Sequence, residues 1–63
     1  PVDDATYNLL QALTSKLEAI EAYQMYAEQD EDGVFEELIA DERRHAERLY
    51  EAAGRRVQLF DRG

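Results

Sequence analysis

Apolar residues recur every three or four positions along two stretches of this chain, with polar residues between them. In the first stretch the recurring positions are Leu10, Leu13, Leu17, Ile20, Gln24 and Ala27. In the second they are Phe35, Leu38, Glu42, His45, Leu49 and Ala52. Residues at this spacing share one face of an α-helix, so the pattern predicts two amphipathic helices.

The first helix and the turn after it are marked by residues with known roles at helix ends. Asp3 and Asp4 are N-cap candidates and place negative charge at the positive end of a helix, so we expect helix 1 over about residues 4–29. An acidic run, 30–33, ends in Gly33, which tolerates a positive φ without penalty. The sequence therefore predicts a tight turn at 30–33.

The second helix is expected over about residues 34–53, with Gly54 as its C′ residue. Two arginines follow, where positive charge is favourable at the negative end of a helix: Arg55 and Arg56. The tail, 55–63, carries three apolar residues: Val57, Leu59 and Phe60. It is either an extended segment laid on another surface or a frayed terminus.

A turn this short makes the two helices antiparallel, and two facing helices leave half of each apolar stripe exposed. A chain of 63 residues also buries only about 60% of the surface of its unfolded form. The sequence thus predicts a single all-α domain over residues 1–63: an antiparallel two-helix hairpin that dimerises into a four-helix bundle. Its expected partner is itself, as a homodimer or larger even oligomer, and another protein is the alternative partner.

Composition and charge limit the ligands, the kinds of metal site and the location that this chain can have. Fifteen acidic residues against seven basic residues give a net charge of −8, which repels nucleic acid and anionic membranes. The absence of cysteine excludes disulfides and thiolate metal sites. No apolar run approaches the roughly 20 residues that a membrane span needs, and no signal-peptide pattern is present. We expect a soluble, cytoplasmic protein that binds neither nucleic acid nor membranes.

The anomaly in the pattern is a carboxylate and an imidazole on the second apolar stripe. Glu42 and His45 lie between Leu38 and Leu49, where a plain core has leucine or isoleucine. Burying such groups without partners costs several kcal/mol. Three compensations are open: a metal ion, another ionisable side chain, or a rotation of the helix that admits water.

Glu42 and His45 also form a Glu-x-x-His motif, which places an oxygen and a nitrogen ligand on one helix face. Its flanks, FEELIADERRHAERL at 35–49, and the segment LEAIEAY at 17–23 resemble the helices of rubrerythrin-type and encapsulated ferritin-like half-bundles. The resemblance implies a ferritin-like four-helix bundle in which two hairpins share an iron site. Glu42 and His45 are the metal ligands that it implies.

Position 16 departs from this resemblance. The resembled families carry a first-helix ligand glutamate at the place occupied here by Lys16, whose ammonium group cannot ligate a metal. We expect Lys16 to reach Glu42, on its own or a partner's hairpin, and to form a buried ion pair in place of the metal. Glu21 is the remaining metal candidate on helix 1, but it lies about 80° from the centre of the stripe.

Two functional hypotheses follow. The first is a non-catalytic assembly or adaptor module with a degenerate metal site and no cofactor. The alternative is an iron-binding, ferroxidase-like or rubrerythrin-like protein with Glu42 and His45 supplied by two hairpins. No catalytic residue is predicted, because the chain has no cysteine nucleophile and no glycine-rich phosphate loop. Tyr23 resembles a family tyrosine that bonds a ligand carboxylate, although we expect it mainly to pack.

Overall fold

The computed structural model describes residues 3–56 as two antiparallel α-helices joined by a short turn. Helix α1 spans Asp4–Ala27 and helix α2 spans Val34–Arg56. The expected all-α hairpin is confirmed. Neither of these two helices is long and apolar enough to cross a membrane. The predicted extended or frayed segment at 57–63 lies outside the described residues.

Asp3 is the N-cap of α1, as predicted. Its backbone is extended, and its Oδ1 accepts a hydrogen bond of 2.8 Å from the amide of Thr6. This bond satisfies one of the amide groups that the first turn of a helix leaves without a partner. A local sequence signal therefore decides where α1 begins.

The turn between the helices is organised by one aspartate. Asp30 accepts hydrogen bonds from the amide of Asp32, at 3.3 Å, and from the amide of Phe35, at 3.2 Å. The second bond caps the start of α2. Gly33 has a φ of 76°, which confirms the expected left-handed position in the turn.

The two helices meet along a narrow seam of mostly small residues. Ile39, Ala46 and Ala53 are the buried apolar residues of α2, and Thr6 is buried on α1. Within residues 3–56 no large side chain is completely buried. The hairpin therefore encloses little apolar surface by itself, and much of its hydrophobic area stays open on both sides of the seam.

The seam is rotated away from the stripes that the sequence pattern predicted. Leu17 is 53% exposed and Leu38 is 37% exposed, and Gln24 and His45 are exposed as well. These four residues of the predicted stripes therefore lie on the part of the stripes that the two facing helices leave exposed. The small residues at positions 46 and 53 let the helix axes approach, whereas a face built on larger side chains holds helices further apart.

The prediction that Gly54 ends the second helix was wrong. Gly54 is buried inside α2, which continues to Arg56. Arg56 Nε donates to Thr6 Oγ1 at 2.9 Å, and Arg56 Nη2 donates to Asp3 Oδ2 at 3.1 Å. These long-range bonds hold the last turn of α2 against the first turn of α1, so the helix passes through a residue that often terminates helices.

Candidate functional site

Glu42 occupies the centre of the candidate site. It lies beside the seam on α2, with 16% of its side chain exposed. Its Oε1 atom is 3.1 Å from Lys16 Nζ and 3.1 Å from His45 Nδ1. The structure thus brings together within one hairpin three of the residues selected from the sequence. The Lys16 side chain is 36% exposed, so the ion pair is only partly buried.

His45 contacts Glu42 from the solvent side. Its side chain is 55% exposed, and it reaches back over one helical turn to the carboxylate. Because an ionised carboxylate can only accept hydrogen bonds, the Nδ1 atom carries the proton in this contact. The sequence left three ways to compensate the polar groups of Glu42 and His45: a metal ion, an ionisable neighbour or access to water. The hairpin provides the second and the third.

Glu21 and Tyr23 do not join this cluster. Glu21 is exposed on α1, and its side chain makes no hydrogen bond or ion pair with the described residues. Tyr23 packs against Phe35, with ring centroids 5.5 Å apart, and Tyr26 lies 5.3 Å from the same ring. Tyr23 therefore belongs to an aromatic cluster beside the turn, in agreement with a packing role.

The contacts around Glu42 favour its ionised form. The hydrogen bond from His45, and after it the hydrogen bond from Lys16, hold the pKa of the Glu42 carboxyl below its ordinary value of 4.5. Partial burial raises this pKa, but its effect is smaller than the lowering by the hydrogen bonds. Glu42 is therefore an anion at neutral pH.

This lowered pKa predicts an acid-dependent loss of stability. Below pH 4.5 the unfolded chain takes up a proton at Glu42 before the folded chain does, so the stabilisation by this group disappears as pH falls through the folded pKa. At neutral pH the wild type should have a higher midpoint urea concentration of unfolding than Glu42→Gln. The difference between the two midpoints should shrink as the pH is lowered. A difference that stays constant with pH would contradict this assignment.

A groove of about 470 Å³ opens beside the Glu42 cluster. Its apolar lining consists of Leu9, Ala12, Leu49 and Ala52. Its basic lining consists of Lys16, His45 and Arg48. We call it the basic groove. Arg48 is not among the site residues predicted from the sequence, although its position three residues after His45 places both residues on one side of α2.

A second groove, of about 230 Å³, is lined by other residues of the same two helices. These are Leu13, Leu17, Ala46, Glu47 and Tyr50. We call it the tyrosine groove. Leu17 and Tyr50 are both about half exposed, at 53% and 51%. The hairpin therefore presents two separate apolar surfaces.

Comparison with protein-family models matches residues 7–60 to the family described as Rubrerythrin. The chain belongs to the rubrerythrin family. The match covers all of α2 and all but the first three residues of α1, and it confirms the ferritin-like resemblance. No curated protein and no solved structure matches the chain.

Iron is the metal that the resemblance to rubrerythrin-type half-bundles implies, and the side chains of this rubrerythrin-family hairpin do not fit an iron site of its own. The Lys16 ammonium group contacts the Glu42 oxygen that a metal would need, and a cation repels iron. Residues 3–56 contain no group of three or more histidine, aspartate or glutamate side chains placed to hold a metal ion. Within residues 3–56, Glu42 and His45 supply only two ligand side chains at this place.

Proposed function

We propose that this rubrerythrin-family hairpin is a non-catalytic assembly module in which an ion pair replaces the metal site. The observation that carries the proposal is the 3.1 Å contact between Lys16 Nζ and Glu42 Oε1. It supports a hairpin whose central carboxylate is neutralised by the chain itself. Such a fold needs no metal to compensate the charge of Glu42.

The position of the lysine supports this proposal further. Lys16 is the only lysine of the chain, and it stands where the resembled families have a ligand glutamate. The exchange replaces an acceptor with a donor. The same helix geometry that would direct a glutamate toward an iron here directs a cation toward Glu42.

The exposed apolar surface supports the assembly role. Both grooves expose apolar side chains, and the described residues bury no large side chain completely. Pairing two hairpins into a four-helix bundle would cover such surface. The expected partner is a second copy of the chain, in a homodimer or larger even oligomer.

Iron binding is the second candidate function, and one contact favours it. His45 Nδ1 and Glu42 Oε1 lie 3.1 Å apart, so two potential ligands already converge beside an open groove. If another hairpin brought its own pair to this place, four ligand groups would meet. Lys16 on each hairpin opposes this arrangement through its charge.

Ferrous titration under oxygen, followed by absorbance, tests the two candidates. Under the assembly proposal the wild type does not bind iron saturably. Lys16→Glu replaces the cation with a carboxylate beside Glu42, so saturable binding of about one iron per hairpin should appear in this variant. Adding His45→Ala to Lys16→Glu should weaken that binding at least about tenfold, because an imidazole ligand is removed.

Lys16→Gln is the matched control, because it removes the cation without adding a carboxylate. We expect no saturable binding in this variant. Saturable iron oxidation by the wild type that is lost in His45→Ala would overturn the proposal and establish the iron-binding candidate.

A further inference from the structure

The two grooves of the hairpin differ in charge as well as in lining. Lys16 and Arg48 line the basic groove, none of the described residues that line it is acidic, and Glu42 contacts Lys16 from beside it. Arg48 has no ion pair within residues 3–56, and it is exposed. Positive charge is thus concentrated at one apolar surface of a chain whose net charge is −8.

The tyrosine groove has the opposite balance. Glu47 lines it directly, and Glu21 follows Leu17 by four residues, which places both on one side of α1. Arg43 precedes Glu47 by four residues on α2 and offsets one of these two charges. The surroundings of this groove therefore keep an acidic excess.

Charge decides which pairing of these surfaces is favourable. A two-fold symmetric contact through either groove brings the same surface of both copies together, so like charges would face each other, basic against basic or acidic against acidic. A contact between unlike grooves joins apolar surface to apolar surface and basic groups to acidic groups. In the contact between unlike grooves, burial of apolar surface and attraction between opposite charges both favour association.

We propose that the basic groove of one copy docks onto the tyrosine groove of the next copy, in a head-to-tail contact. This inference rests on the proposed assembly function, specifies the surfaces that it uses, and replaces the two-fold homodimer expected there with a head-to-tail assembly. In such a contact Arg48 approaches the acidic edge formed by Glu47 and Glu21, while Leu17 and Tyr50 cover apolar lining of the basic groove. Each added copy leaves one groove of each kind open, so assembly proceeds to a ring or a filament.

Two variants, each blocking one groove, test the head-to-tail contact. Arg48→Glu places a negative charge in the basic groove, and Leu17→Lys places a positive charge in the tyrosine groove. Both positions are exposed, so the fold of the hairpin should persist, which circular dichroism can verify. Arg55→Glu and Met25→Lys are matched controls, because they make the same changes at exposed positions outside both grooves.

Sedimentation velocity over a range of concentrations gives the readout. Wild type and both controls should assemble, whereas each blocked variant alone should have an apparent dissociation constant raised at least about tenfold. An equimolar mixture of the two blocked variants should associate again, because one chain retains an intact basic groove and the other an intact tyrosine groove.

Other outcomes separate this inference from the proposed function. If one blocked variant still dimerises alone while the other is monomeric, the contact is two-fold symmetric; the inference then fails and the assembly function survives. If the mixture stays as dissociated as its components, the head-to-tail contact is likewise overturned. A wild type that is monomeric at every concentration would overturn both the inference and the assembly function.

Discussion

Replacing Ile39 with alanine should lower the free energy of unfolding by about 2–4 kcal/mol, the usual cost of truncating a buried aliphatic side chain. Ile39 is 8% exposed and is the largest of the buried apolar residues on the seam. For a chain this small, such a loss is a large part of the total stability. Urea unfolding at one fixed protein concentration measures it, since assembly makes stability depend on concentration.

Leu38→Ala is the matched control for this experiment. Leu38 adjoins Ile39 in the chain and loses a side chain of the same size, but it is 37% exposed. We expect a cost below about 1 kcal/mol, because less of its surface leaves water on folding. If Leu38→Ala were the more damaging change, the helices would meet on the face that the sequence pattern favoured, and the observed seam would be wrong.

The second large effect is expected from the ion pair. Glu42→Leu removes the carboxylate and leaves Lys16 partly buried beside an apolar residue, so the melting temperature should fall clearly. The double variant Lys16→Leu, Glu42→Leu removes both charges and adds apolar surface at the seam. It should recover more than half of the loss, and the double-mutant cycle should show clear coupling.

An exposed ion pair on the same helix provides the comparison. Arg44 contacts Asp41 one turn away, with 67% and 49% of the two side chains exposed. Exposed pairs of this kind contribute little, so the cycle of Asp41→Leu and Arg44→Leu should show coupling near zero. Equal coupling energies in the two cycles would mean that partial burial does not strengthen the interaction between Lys16 and Glu42.

The sequence by itself determined the features that depend on local chemistry. Asp3 caps α1 through a bond to an amide three residues away, and Gly33 takes the positive φ that a tight turn requires. These interactions span few residues, so residue type and spacing predict them. The approach of Lys16 to Glu42 followed from helical spacing together with the resemblance to ferritin-like half-bundles, because two antiparallel helices bring facing stripes into contact.

Only the tertiary structure decided which face of each helix forms the seam. Spacings of three and four residues fit several neighbouring stripes, and 3.6 residues per turn place Leu38 and Ile39 only about 100° apart. Hydrophobicity favours the stripe with the larger side chains, whereas close packing of helices favours the one that contains Ala46 and Ala53.

The end of α2 and the two grooves likewise depend on contacts between residues far apart in the chain. Gly54 is an ordinary stop signal when α2 is considered alone, but Arg56 binds Thr6 and Asp3 some 50 residues away and holds the helix in place. The grooves are composed of side chains from both helices. Their linings depend on the rotation of each helix about its axis, which packing between the helices sets and local sequence does not.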